Sequence, residues 1–116
     1  MRKVLLRAAG VTVCTLTIVA PVMPDHAADA GVVIVTMKDH RFDPQIVEVK
    51  LGQTIVFANN DPDLHAVAVA DLLETTFVDP GKELSLAVPA SAPLRDYPLA
   101  CTIHINMTGT IRVAER

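Results

Sequence analysis

The sequence is poor in cysteine, and this scarcity limits what its thiols can do. Its 116 residues include two cysteines, Cys14 and Cys101. Cys14 lies in an N-terminal stretch with the features of an export leader, so the exported chain would keep Cys101 alone. In an oxidising compartment, a single cysteine excludes an intramolecular disulfide. Cys101 must therefore be a buried inert thiol, half of an intermolecular bridge, or a metal ligand.

Other absences exclude further classes of protein. Lysine and arginine total 10 against 13 aspartate and glutamate, a net charge of −3, so the chain lacks the basic surface that nucleic-acid binding requires. No sustained helical period, internal repeat or low-complexity tract occurs along the chain. No nucleophile with its base and no paired carboxylates stand in a recognisable catalytic motif. We therefore expect a non-enzymatic, mainly β-stranded protein that does not bind nucleic acid.

The N-terminus has the three regions of an export signal. A basic start, Met1-Arg2-Lys3, precedes an uncharged run over residues 8–24, and Ala28-Asp29-Ala30 supplies the small residues of a cleavage site. The uncharged run is too short and too interrupted by proline for a transmembrane helix, although an uncleaved anchor is the alternative. We predict a signal peptide over residues 1–30, a domain over residues 31–116 with no membrane span after cleavage, and a periplasmic or secreted location.

The domain reads as a series of short strands separated by turn-forming residues. Runs rich in β-branched residues, or alternating between apolar and polar, predict strands at these positions: 31–38, 46–50, 54–58, 65–70, 83–88, 97–101 and 108–114. The segment 71–79 has no clean period and is expected to be irregular. About seven short strands with turns at close intervals predict an all-β fold, an antiparallel β-sandwich.

The loop between the last two predicted strands carries three potential metal ligands. Cys101, His104 and Met107 stand at offsets of zero, three and six. A buried thiol and a core methionine are the ordinary interpretations of two of these residues taken singly. Together they offer a soft thiolate, a borderline imidazole and a soft thioether. That mixture suits a metal that alternates between a softer and a harder oxidation state, which favours copper over zinc.

A second imidazole is needed to complete a His2Cys copper site with a weak axial methionine. His65 opens a predicted strand after a turn-rich loop, and taken alone it would be interpreted as a partly exposed histidine beside Asp63. His40 lies in a polar break and is interpreted as a solvated turn residue, so His65 is the better supplier. The candidate metal ligands are therefore His65, Cys101, His104 and Met107.

These motifs resemble those of the cupredoxins, the family of type 1 blue copper proteins that includes plastocyanin, amicyanin and pseudoazurin. The short Cys-x2-His-x2-Met loop is most similar to that of amicyanin. The resemblance covers most of the domain, at Phe42, Pro44, Val47, Val49, Gly52, Phe57, Asn60, His65, Pro80, Gly81, Tyr97, Cys101, Thr102, His104, Met107 and Gly109. It implies a Greek-key sandwich that holds one type 1 copper per chain through the four candidate ligands. It also implies that the protein shuttles single electrons between a redox donor and an acceptor, each met transiently. We expect the protein to be a monomer.

One departure from the family pattern concerns the surroundings of the thiolate. The family usually follows its first histidine ligand with asparagine, whose side chain braces the ligand loops, whereas Ala66 stands here. Thr102 keeps the hydroxyl that normally meets this asparagine, so half of the link is missing. Outer hydrogen bonds of this kind orient ligands and tune the metal.

The resemblance also implies an electron port and leaves a rival function open. His104 would lie near the surface, ringed by apolar side chains that could form a docking patch: Leu64, Ile103 and Ile105. The alternative is a copper-binding protein of trafficking or tolerance, which Ala66 slightly favours because a looser surround would release metal more easily. No methionine- or histidine-rich tract for metal transfer accompanies the ligands. Multicopper oxidases need a His-Cys-His cluster, which the neighbours of Cys101 do not form.

Overall fold

The structure, a computed structural model, describes residues 31–115. The predicted leader over residues 1–30 lies outside the described residues and stays a prediction. The described part contains no helix able to cross a membrane. Its strands are β1 (Val32–Lys38), β2 (Arg41–Asp43), β3 (Ile46–Lys50), β4 (Thr54–Asn59), β5 (His65–Val69), β6 (Leu73–Val78), β7 (Glu83–Ala87), β8 (Asp96–Cys101) and β9 (Thr108–Glu115).

The strands form two sheets that pack as a sandwich. One sheet has four strands in the order β2-β1-β4-β7, and the other has five in the order β3-β9-β8-β5-β6. The prediction of an all-β sandwich is confirmed. Most neighbouring strands are antiparallel, but β1 pairs with β4 and β3 pairs with β9 in parallel. The parallel pairs arise because the chain leaves the first sheet after β2, forms β3 in the second, and returns for β4.

The core lies between the sheets and follows the alternation of the strands. In β4 every second residue is buried, with Ile55 and Phe57 fully enclosed, and β1 contributes Val35 and Met37 from the neighbouring positions. Successive side chains of a strand point to opposite faces, so this alternation places one face of each sheet in the core. The ring of Tyr97 is also fully buried, yet its hydroxyl donates to the Pro93 carbonyl at 2.6 Å.

The prediction of an irregular segment at 71–79 was wrong, because most of it forms β6. This strand pairs with β5, with Phe77 opposite Ala66 and Val78 opposite His65. The register shifts between Val67 and Val69, and β6 lies at the edge of its sheet, so its residues do not alternate regularly between core and solvent. A bulge and an exposed edge remove the period by which a strand is recognised.

One end of the sandwich collects the residues that matter for the site. Strand β5 begins at His65 and β8 ends at Cys101, and the two strands are antiparallel neighbours with Val67 opposite Cys101. Because antiparallel strands place the start of one beside the end of the other, His65 and Cys101 meet at the same end of the sheet. The loop between β8 and β9 leaves from this end and carries His104.

Candidate metal centre

Three of the four candidate ligands converge at this end of the sandwich. Cys101 Sγ lies 3.7 Å from His65 Nδ1 and 3.3 Å from His104 Nδ1, and the two Nδ1 atoms are 3.2 Å apart. A point equidistant from the three atoms lies about 2 Å from each, close to the metal–nitrogen distance of about 2.0 Å and the metal–sulfur distance of about 2.3 Å at zinc sites. The triangle therefore fits a first-row transition metal ion. His65 and Cys101 are buried, and His104 is partly exposed.

The fourth candidate ligand, Met107, is fully buried at the end of the same loop. Its carbonyl accepts the backbone N–H of Cys101 at 2.9 Å, which closes the loop across its base. Asn106 has a φ of 64°, in the left-handed region that asparagine tolerates, and this lets the chain reverse between His104 and Met107. The loop is thus short and backbone-bonded. The role of Met107 as a ligand is a proposal.

Asp61 holds the buried histidine in place, and sequence reasoning missed it. Asp61 Oδ2 lies 2.7 Å from His65 Nε2, and both residues are almost fully buried. A carboxylate accepts the N–H of Nε2, which leaves Nδ1 unprotonated and directed at Cys101 and His104. His65 is therefore fully buried, unlike the partly exposed histidine beside Asp63 that it resembles when taken alone. In the sequence, Asp61 lies in a dense run of turn-forming residues, and such a run does not show which of its side chains contacts a histidine.

The carboxylate of Asp61 is kept ionised by its hydrogen bonds. Burial opposes ionisation, but the backbone N–H of His40, the ring of His65 and the backbone N–H of Asp39 all donate to it and together hold the pKa of Asp61 below its ordinary value. Asp39 and His40 both have positive φ angles, 54° and 57°, in the turn between β1 and β2. One buried negative charge thus fixes both a candidate ligand and this turn.

Backbone hydrogen bonds connect the segment that carries His65 to the segment that carries Cys101. The Ala66 N–H donates to Cys101 Sγ at 3.3 Å, and the Thr102 N–H donates to the Ala66 carbonyl at 2.9 Å. Hydrogen bonds to the cysteine sulfur tune a copper–thiolate site. The sequence predicts a half-missing brace because Ala66 has no amide side chain, but these two bonds connect the same segments without one.

His40 is the second neighbour of the candidate ligands that sequence reasoning missed. It is exposed, as expected for a turn residue, but its ring stacks on the ring of His104 with centroids 4.3 Å apart and an interplanar angle of 21°. Its Nε2 atom lies 2.8 Å from Asp63 Oδ2. His40 is therefore part of the surroundings of the candidate ligands. The sequence around His40 shows only a polar break. It could not predict the contact with His104, because that contact depends on two loops that are distant in the chain.

The apolar residues expected around His104 are exposed. Leu64 precedes His65, and Ile103 and Ile105 flank His104 on either side in the chain. Their relative exposures are 38%, 47% and 89% respectively. The large exposure of Ile105 means that an isoleucine side chain faces solvent next to the one partly accessible candidate ligand. Such a surface suits contact with another molecule.

The comparisons with known proteins agree with this fold. The profile of the cupredoxin-like domain matches residues 9–113. The chain belongs to the cupredoxin family. An amicyanin variant in its Cu(I) form matches with a TM-score of 0.64 and 23% identity over 75% of this chain and 88% of that one. A purple cupredoxin from Nitrosopumilus maritimus matches with a TM-score of 0.61 and 15% identity over 71% of this chain and 99% of that one.

The structural neighbours also include a longer chain. A copper-containing nitrite reductase from Thermus scotoductus SA-01 matches with a TM-score of 0.62 and 26% identity over 72% of this chain. The match spans 22% of the nitrite reductase chain, so it concerns one part of that protein. The family and the sandwich fold expected from the sequence motifs of this cupredoxin are confirmed.

Proposed function

We propose that this cupredoxin is a type 1 copper protein that carries single electrons between redox partners. The observation that supports it most is the triangle formed by Cys101 Sγ and the Nδ1 atoms of His65 and His104, with sides of 3.2–3.7 Å. A His2Cys set with a long axial methionine is the donor set of blue-copper electron-transfer sites. His65, Cys101 and His104 would hold one copper per chain, with Met107 as the axial ligand.

Bound copper would supply a one-electron couple between Cu(II) and Cu(I), and the chain's own residues favour its use for electron transfer. Thiolate and thioether sulfurs suit the soft Cu(I) ion, and imidazole suits Cu(II) as well. Asp61 orients His65, and the Ala66 N–H meets the sulfur of Cys101. Ligands held in this way move little when the charge of the metal changes.

The surface around the site indicates how partners would approach. His104 is the candidate ligand that reaches solvent, and the exposed Ile105 follows it in the chain. A donor and an acceptor could therefore dock transiently on this apolar end without opening the buried part of the site. We propose a monomer with protein redox partners and no nucleic-acid partner.

A carrier is favoured over an enzyme by the metal-binding groups that the described part of the chain offers. Within residues 31–115, the groups of three or more His, Cys, Asp and Glu whose ligand atoms lie within 4.8 Å of one another are His65-Cys101-His104 and His40-Asp63-His104. Both include His104, so they do not form two independent centres. The candidate metal ligands therefore support one metal ion and the transfer of one electron at a time. We assign no residue a role in making or breaking a covalent bond of a substrate.

Copper delivery is the alternative function, and Ala66 was the observation in its favour. The hydrogen bonds from Ala66 to Cys101 Sγ and from Thr102 to Ala66 weaken that argument, because the ligand loops are connected without an asparagine side chain. A delivery protein should lose Cu(I) readily to a mild chelator. A carrier should retain it through repeated oxidation and reduction.

The deciding experiment is a titration of the exported protein with Cu(II), followed by visible and EPR spectroscopy. We expect one equivalent to bind with an intense blue or green thiolate charge-transfer band. Cys101→Ser should abolish the colour and leave the sandwich folded, whereas the neighbouring Thr102→Ser should keep it. A colourless Cu(II) complex of the unmutated protein would contradict the type 1 assignment.

The proposed periplasmic or secreted location depends on the leader. If residues 1–30 are a signal peptide, N-terminal sequencing of the exported protein should begin at Gly31-Val32-Val33. Recovery of a membrane-bound form that retains residues 1–30 would favour the anchor instead.

A further inference from the structure

His40 lies against the one candidate ligand that solvent can reach. The rings of His40 and His104 are stacked, with centroids 4.3 Å apart and planes inclined by 21°. The ring of His40 is held at its outer edge by Asp63, whose Oδ2 is 2.8 Å from Nε2. Its backbone is held by Asp61, whose Oδ2 accepts the His40 N–H at 3.0 Å. The orientation of this ring is therefore determined from two sides.

Coordination of a second metal ion does not explain this arrangement. His40, Asp63 and His104 offer ligand atoms within 4.8 Å of one another, and Asp63 and His40 are exposed. The lone pair of an imidazole nitrogen lies in the plane of its ring, so two stacked and nearly parallel rings do not aim their lone pairs at a common point. Asp63 is moreover already paired with His40 Nε2. The arrangement is a stacking contact.

We propose that His40 is a positioning residue for His104: its ring holds the His104 ring with Nδ1 facing Cys101 Sγ and covers one face of it from water. His65 and Cys101 are buried on strands, whereas His104 lies in the loop between β8 and β9 and is partly exposed. His104 is thus the candidate ligand most in need of support. The redox consequence of this contact rests on the proposed copper function, but the contact itself does not.

The same carboxylate connects both histidine ligands. Asp61 accepts the ring N–H of His65 directly and the backbone N–H of His40, which in turn stacks on His104. The two imidazoles of the site are therefore supported from one buried anchor. An aromatic pair contributes an energy equivalent to a factor of about 2 to 13 in an equilibrium constant. Loss of the His40 ring should raise the population of His104 rings turned away from Cys101 by a factor of this size.

The first test needs no copper. In the metal-free protein, the ring current of a stacked neighbour should shift the His104 ring protons upfield in the NMR spectrum. His40→Ala should move these signals downfield, and His40→Phe should keep them upfield because a phenyl ring can stack in the same place. His104 signals that do not respond to His40→Ala would overturn the proposal. Arg41→Ala, at the exposed neighbouring residue of β2, is the matched control.

The second test uses the copper protein. We expect His40→Ala to speed transfer of Cu(I) to a chelator by a factor of about 2 to 13, the factor of the lost stacking. His40→Phe should stay near the unmutated rate, and Arg41→Ala should not change it. Equal rates for His40→Ala and the unmutated protein, or equal losses in the alanine and phenylalanine variants, would overturn the positioning role. Absence of a coloured copper complex in every variant would contradict the proposed function, while the NMR comparison would still decide whether His40 holds His104.

Discussion

Asp61 Oδ2 and His65 Nε2 are 2.7 Å apart, and both residues are almost fully buried. The carboxylate also accepts the backbone N–H groups of Asp39 and His40, so three donors converge on it. A carboxylate behind a histidine ligand fixes the ring orientation and the protonation of the far nitrogen. This pair therefore couples the fold of the β1–β2 turn to the geometry of the candidate metal centre.

Asp61→Asn should weaken both stability and metal binding. The substitution replaces one acceptor oxygen with an NH2 donor, so at least one of the three N–H groups at Asp61 loses its acceptor. A buried unsatisfied donor costs about 1–3 kcal/mol, and loss of a partner behind a ligand lowers metal affinity by about 10- to 100-fold. Urea unfolding of the metal-free protein and chelator competition measure the two effects. Asp43→Asn, at an exposed position in β2, should change neither.

Met107→Gln tests the axial ligand. If Met107 is the axial ligand, an amide oxygen in place of the thioether should favour Cu(II) and lower the reduction potential, and the protein should stay coloured. The loop should still close, because Met107 bonds to Cys101 through its carbonyl rather than its side chain. Cyclic voltammetry measures the potential. An unchanged potential would show that Met107 only fills the core.

The parts of this molecule that the sequence could predict are those whose signals are local. Cys101, His104 and Met107 lie within one short loop, so their spacing is visible without a structure. Phe42, which matches the family pattern, is buried in β2, a strand too short to show a period of its own. The alternation in β3 is also a local signal, because Val47 and Val49 share one buried face of the strand.

The parts that could not be predicted depend on distant segments meeting. His40 and Asp61 contact the candidate ligands because the β1–β2 turn and the loop before β5 lie at the same end of the sandwich. No sequence pattern within either loop predicts that the two loops lie together. The hydrogen bonds that join Ala66 to Cys101 and Thr102 use the backbone groups of Ala66. Almost every residue has these groups, so a sequence motif cannot predict such bonds.

Gly109→Ala should destabilise the sandwich. A Cβ at this position in β9 would lie 2.6 Å from the Gln45 carbonyl oxygen and 3.2 Å from Leu99 Cδ2. A side chain could rotate away, but the carbonyl also accepts the Thr110 N–H at 2.9 Å, so moving it would break a backbone bond. We expect a loss of about 1–3 kcal/mol, typical of overpacking, in the free energy of urea unfolding. Thr108→Ala, at an exposed neighbouring position, should have little effect, and an equally stable Gly109→Ala would mean that the strand can shift freely.

Arg112 should lower the pKa of Asp96 in solution. The hydrogen bonds from Arg112, at 2.9 Å from Nε to Oδ1 and 3.3 Å from Nη2 to Oδ2, hold the pKa of Asp96 below its ordinary value against a smaller effect of burial. The stabilising contribution is therefore present above the ordinary aspartate pKa of about 3.9 and is lost as the pH falls through the lowered value. NMR titration of the Asp96 carboxyl should show a rise toward the ordinary value in Arg112→Gln. Arg41→Gln should leave the titration of Asp96 unchanged.

Ile105→Asp separates electron transfer from copper delivery. Ile105 is 89% exposed and is not a candidate ligand, so the visible spectrum should not change. If electrons pass through the end of the molecule around His104, two copies must press this face together, and two added negative charges would then meet. Because facing like charges cost several kcal/mol, we expect electron self-exchange to slow by about tenfold or more, with partial recovery at high salt. NMR line broadening in mixtures of the oxidised and reduced protein measures the rate. Leu94→Asp adds the same charge at a 47% exposed residue before β8, whose far end carries Cys101, and should leave the rate unchanged. Self-exchange that ignores Ile105→Asp, together with ready loss of Cu(I) from the unmutated protein to a mild chelator, would favour copper delivery over electron transfer.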